Sequence, residues 1–153
     1  MSDVMDRVSE ASHDSVLAAA RLAMAAIFLP SGFQKLTHLG SFAGMLGQHG
    51  LPYGAELAVV GACVEFFGSL LILTGARLRW AALLMAAFTA VAALISHRFW
   101  AVIDAAQQAN QHIHFMKNMA IIGGFLALFV AGPGAYSVDH WLASRPRLAR
   151  RWR

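Results

Sequence analysis

The sequence predicts an all-α integral membrane protein, a four-helix bundle with a short interfacial helix after the first span. Three observations carry this. Of the 153 residues, 58% are hydrophobic and 13% are Asp, Glu, Lys or Arg, against roughly 25% charged in a soluble domain. Mean hydropathy is +0.56. Four apolar stretches approach the length of about 20 residues that a bilayer core of about 30 Å demands. The composition excludes a water-soluble globule and a disordered chain, and the length allows one domain.

The four stretches are 16–33, 57–75, 80–96 and 115–131. A soluble helical bundle would show a polar outer face at helical period. The third stretch has no charged residue and only Thr89 as an interior polar interruption. Residues 1–14 carry Asp3, Asp6, Glu10 and Asp14 against Arg7. That is the opposite of a secretory signal's basic start, so they are expected to be a solvated cytoplasmic arm. Residues 15–142 form the transmembrane domain and 143–153 a basic cytoplasmic tail. The net charge of +4 reports that tail, with Arg145, Arg147, Arg150, Arg151 and Arg153, and gives no reason to expect nucleic acid as a partner.

Loop charge predicts orientation. Arg7, Arg77, Arg79 and the tail arginines fall on one side, and Lys35 and Arg98 on the other. Both termini are therefore expected in the cytoplasm. The connection between spans two and three is so short that those helices must be antiparallel neighbours. Ser41 to Gly47 places Phe42, Met45 and Leu46 at helical spacing behind a Ser41 N-cap, which reads as a helix lying in the interface. Phe99 and Trp100 after span three, and Tyr136 and Trp141 after span four, sit where aromatic belts form.

Ionisable groups inside spans are costly and mark functional candidates. Arg21 and Glu65 each lie on a face of small residues, which lets helices approach closely. Counting from the cytoplasmic ends sets them roughly 7 Å apart in depth. Two readings stay open: a buried Arg21–Glu65 pair orienting two helices, or Glu65 as a proton-carrying or ligand-binding carboxyl. A second cluster is expected at the outer face, where Lys35, Glu56, His97, His112, His114, Lys117 and Asn118 come from all four spans. His114, Lys117 and Asn118 share one side of a helix by their i, i+3, i+4 spacing. Lys35, His97, His114, Lys117 and Asn118 form the candidate pocket for an anion, a quinone head group or a proton relay, with snorkelling ends as the plainer alternative. His112 and His114 diverge on a helix, so no metal site is expected. Cys63 is the single cysteine, which rules out an internal disulfide or a redox pair. It reads as a core residue. Met24, Met85, Met116 and Met119 read as packing. Pro30 breaks helical hydrogen bonding near the outer end of span one. Asp139 is expected to pair with Arg77 or Arg79.

The ordered set of motifs resembles the DoxX family of small bacterial membrane proteins. It comprises Arg21, the run Ile27 to Leu36 (IFLPSGFQKL), Gly50-Leu51-Pro52, Glu65-Phe66-Phe67-Gly68 ahead of Leu73-Thr74-Gly75, His97-Arg98-Phe99-Trp100, Lys117-Asn118-Met119 with Gly123-Gly124, and the closing run Gly132 to Asp139 (GPGAYSVD). The resemblance covers residues 16–142. It implies a four-span bacterial inner-membrane protein, and it includes members linked to quinone-dependent sulfur oxidation and others associated with oxidative-stress systems. No catalytic motif is present. The expected role is an accessory or quinone-interacting component of a redox or oxidative-stress system. The alternative is a small oligomeric transporter or a non-enzymatic scaffold. No cofactor is fixed by the residues, and quinone is the one left open. The expected partners are the lipid bilayer and a redox protein or further copies of the chain.

Overall fold

A computed structural model of the chain describes residues 2–145. The tail arginines Arg147, Arg150, Arg151 and Arg153 lie outside the described residues. Six helices follow in order: α1 (Ser2–Thr37), α2 (Leu39–Gln48), α3 (Gly54–Thr74), α4 (Leu78–Ser96), α5 (Ala105–Ala131) and α6 (Val138–Ser144), with a 3₁₀ turn at Phe99–Ala101. Four helices, α1, α3, α4 and α5, are long and apolar enough to cross a membrane. Large apolar side chains such as Leu22, Val60, Phe67, Leu84, Val91 and Val130 point outward. In water such a surface would be strongly disfavoured, whereas acyl chains are as apolar as the side chains themselves.

Residues 2–14, expected as an arm, are helical and continuous with span one. Helix α1 begins at Ser2 and runs unbroken through Pro30 to Thr37. The interfacial helix is present but starts earlier than expected. Its N-cap is His38, with no side-chain cap bond, so Ser41 lies within the helix and caps nothing. Its amide instead follows the helical ladder back to the His38 carbonyl at 3.1 Å.

Helix α1 packs most extensively on α3, and α4 on α5, with α3 and α4 joined as antiparallel neighbours. The α1–α3 contact is backbone to backbone. A β-carbon added at Gly32 would lie 2.7 Å from the Phe66 nitrogen, so any side chain there would push the helices apart. At the other end of the same pair, Gly75 faces Arg21. Gly75 has φ +68° and ends α3, with its amide on the Ile72 carbonyl and that of Ala76 on the Leu71 carbonyl. This is the reciprocal bonding of a left-handed glycine stop. The core lies between these helices, around Phe28, Ile72, Leu78, Met85, Phe125 and Leu128. Phe28 and Phe125 meet at 5.5 Å between ring centroids and tie α1 to α5.

One end of the bundle is tied down by loop bonds. Asp14 accepts the Ala135 amide at 2.7 Å. Asp139 accepts the amides of Arg77 at 2.8 Å and Leu78 at 3.2 Å. The expectation that Asp139 pairs with an arginine side chain is therefore corrected. Its carboxylate caps the N-terminus of α4, where free amides and the helix dipole favour a negative charge. Arg77 has φ 48°, a left-handed conformation that is costly for a residue with a β-carbon, and the Asp139 contact offsets part of that cost.

Candidate functional site

The α1–α3 register decides which charges meet. Gly32 faces Phe66 and Gly75 faces Arg21. Position 65 therefore lies level with the C-terminal third of α1, eleven residues beyond Arg21, or about 16 Å along the axis. That is too far for an Arg21–Glu65 pair, and the structure has none. The sequence count had treated both spans as entering the membrane at equal depth, whereas the Gly32 contact slides them further.

Arg21 is 3% exposed. It donates from Nη1 to the Pro133 carbonyl at 2.9 Å and from Nη2 to the Tyr136 carbonyl. Both acceptors lie just after α5. Arg21 thus fastens span one to the segment that leaves span four, and its role is positional.

Glu65, 2% exposed, instead accepts from Lys35, with Nζ 2.5 Å from Oε2. The Lys35 ammonium also stands 5.2 Å from the Phe42 ring centroid of α2, within cation–π range. The carboxyl assigned to the middle of the membrane and the lysine assigned to the outer pocket therefore belong to one site.

Beside this pair lies a cavity of about 240 Å³. Its polar lining comprises Lys35 and Ser31 of α1, Glu65 of α3, Thr89, Ser96 and His97 at the end of α4, and Asn118 of α5. Ile27, Phe28, Phe88, Ala92 and Ile121 complete the walls. Thr89 donates to the Met85 carbonyl at 2.7 Å, which occupies its only proton. His97 Nδ1 lies 2.8 Å from Gln111 Oε1. An amide oxygen only accepts, so Nδ1 carries a proton, and neutral His97 keeps Nε2 as an acceptor. His114 does not line the cavity. Its ring stacks on that of His97, with centroids 5.1 Å apart and planes at 15°. Asn118 Nδ2 donates to the His114 carbonyl at 3.2 Å, leaving one amide proton and the amide oxygen for another partner.

Lys117 is excluded. It is exposed and absent from the cavity wall. The inward stripe of α5 passes through Gln111, His114, Asn118, Ile121 and Phe125, and Lys117 sits about 100° around the helix from Asn118. Glu56 and His112 are also exposed. His112 lies against the Phe99 ring at 4.8 Å, in an aromatic cluster with Trp100 and Phe115. Among the described residues no three His, Cys, Asp or Glu side chains converge as metal ligands. Sequence reasoning missed Gln111, Ser31 and Ser96. Gln111 had a legible signal, since it precedes His114 by three and Asn118 by seven.

The fold and the site together define a class: a multi-pass membrane bundle with an ion pair beside a polar cavity. Within that class the chain belongs to the DoxX family, whose model, described as DoxX, matches residues 16–98. It is 37% identical over 123 residues to the inner membrane protein YqjF of Escherichia coli K12, covering 80% of this chain and 88% of the relative. It is 33% identical over 129 residues to the inner membrane protein YphA of the same organism, covering 84% and 91%. No solved structure matches the chain significantly.

Proposed function

We propose that this protein is an inner-membrane accessory component of a redox or oxidative-stress system, and that it holds a quinone-type ring in the cavity beside Lys35 and Glu65. The observation that carries this reading is the cavity itself. It sits within spanning helices, seven polar side chains converge on it from all four spans, and Ile27, Phe28, Phe88, Ala92 and Ile121 complete its walls. A lining that mixes hydrogen-bonding groups with aromatic and aliphatic side chains suits a flat ring that carries polar oxygens.

The residues present fit such a ring. The Lys35 ammonium and the free amide proton of Asn118 are donors for ring oxygens, and a cation in a water-poor site stabilises negative charge developing there. His97 Nε2 is an acceptor for a hydroxyl proton. Glu65 holds Lys35 in place through the contact at 2.5 Å. When bound, the ring would supply two-electron, two-proton chemistry, with electrons drawn from a partner redox protein. The inner-membrane location rests on the names of the two relatives. The excess of Arg77, Arg79 and Arg145 over Lys35 and Arg98 supports cytoplasmic termini.

The direct test is titration of the purified protein with a short-chain quinone analogue, wild type against Asn118→Ala and His97→Ala. Saturable binding weakened about ten-fold by either change, as expected for loss of one buried hydrogen bond at 1–2 kcal/mol, supports the reading. Equal or absent binding in all three ends it. The transporter reading makes Glu65 a coupling carboxyl, and proton uptake by reconstituted vesicles that Glu65→Gln abolishes would favour that reading instead. A reporter fused after Arg153 that is active only outside the cytoplasm would overturn the orientation.

A further inference from the structure

A second cavity, of about 230 Å³, lies beneath α2, between it and helices α3 and α4. It shares Lys35, Phe88, Ala92 and Ser96 with the polar cavity. On α4 the last three are spaced i, i+4, i+8, so they form one ridge along the helix, and two of the three are small. The divide between the cavities is therefore the Phe88 ring and the Lys35 side chain above a low backbone ridge. Lys35 is the only charged residue of this second lining. Its ammonium is turned to Glu65, so it offers the chamber mainly its methylene stem. Val60 and Val91 line the chamber and are 59% and 56% exposed, which opens it to lipid between α3 and α4. An empty apolar chamber forfeits dispersion contacts on every wall, and hydrocarbon recovers them.

We propose that this chamber takes the first segment of a hydrocarbon chain whose polar ring sits in the neighbouring cavity, the remainder of the chain leaving past Val60 and Val91 into the bilayer. The inference rests on the ring-binding reading above and adds the ligand's class: an amphiphile with a compact head and a single flexible tail. Helix α2 roofs the tail through Phe42, Met45 and Leu46, and Phe42 joins that roof to the ion pair through the Lys35 contact.

The test compares a benzoquinone without a chain with its decyl counterpart, titrated in one detergent on wild type and on Gly61→Leu. A β-carbon at Gly61 meets Phe42 at 3.4 Å and Phe88 at 3.9 Å, so the first added atom fits and the rest of the leucine fills the chamber. Burial of two methylenes or more should make the decyl compound at least about ten-fold tighter in wild type. Gly61→Leu should remove that advantage and leave the chainless compound nearly unchanged. An equal advantage in both proteins overturns the proposal. Val91→Phe narrows the chamber from α4 and serves if Gly61→Leu accumulates poorly. If neither quinone binds wild type, the ring reading fails by itself, and decanol bearing a photoactivatable diazirine then decides the chamber alone. Adducts on Val60 and Val91 that Gly61→Leu removes support a tail site, and adducts confined to the outward-facing Leu84 and Val130 overturn it.

Discussion

Lys35 Nζ lies 2.5 Å from Glu65 Oε2, joining the C-terminal end of α1 to the middle of α3 across a site where the carboxylate is almost wholly enclosed. Their side chains are 30% and 3% exposed. The carboxylate is enclosed by protein and depends on the ammonium, while the lysine is only partly enclosed. The pair is asymmetric, and its loss should be felt from the Glu65 side.

Lys35→Met should therefore destabilise the protein more than Glu65→Gln. Removing the cation strands a buried carboxylate, a change that costs about 3–5 kcal/mol in fully buried pairs and somewhat less here. Removing the charge leaves a lysine that is only partly enclosed. The double variant Lys35→Met, Glu65→Leu should recover most of the loss, because neither charge is then stranded. Thermal unfolding in detergent measures all four proteins, and strictly additive losses would show that the two residues act separately.

Arg21→Leu should lower stability by about 2–4 kcal/mol, since two partly buried carbonyls lose charged donors worth roughly 1.5–3 kcal/mol each and the loss is partly relieved by relaxation. Ligand binding at the Glu65 cavity should be unaffected where the variant is folded. A fall in ligand affinity without a fall in melting temperature would contradict the positional role of Arg21.

Asp139→Ala uncaps α4. A cost of about 1 kcal/mol is expected, together with faster hydrogen exchange at the Arg77 and Leu78 amides, which lose their acceptor. Unchanged exchange at those two amides would mean the cap is not formed in solution.

The Gln111 contact fixes which nitrogen of His97 bears the proton. Nitrogen chemical shifts of selectively labelled histidine should show His97 in the Nδ1–H tautomer when neutral, and Gln111→Leu should release it into a mixture. An Nε2–H tautomer in the wild-type protein would remove the acceptor role assigned to His97.

Much of the architecture was legible because a bilayer is an undemanding reader: a continuous apolar run at helical length is sufficient. The four spans, the short turn between α3 and α4 and the short helix that carries Phe42, Met45 and Leu46 all follow from hydropathy, helical spacing and loop length. The cavity was half legible. His97 and Asn118 were found by their depth and periodicity, and Lys35 and Glu65 by being charged within or beside oily segments. Lys117 was misplaced, because i, i+3, i+4 spacing defines a broad face and cannot say which edge of it turns inward.

Sequence alone determined that this chain crosses a membrane on four helices and that Arg21 and Glu65 must be sheltered there. Tertiary structure alone decided how those side chains pair. The close approach of Gly32 to Phe66 sets the sliding of α1 against α3, and a shift of one turn along two packed helices changes every cross-helix partner. That register sends Arg21 to the carbonyls after α5 and Glu65 to Lys35. Periodicity within a helix cannot encode it, since it resides in the fit between two surfaces.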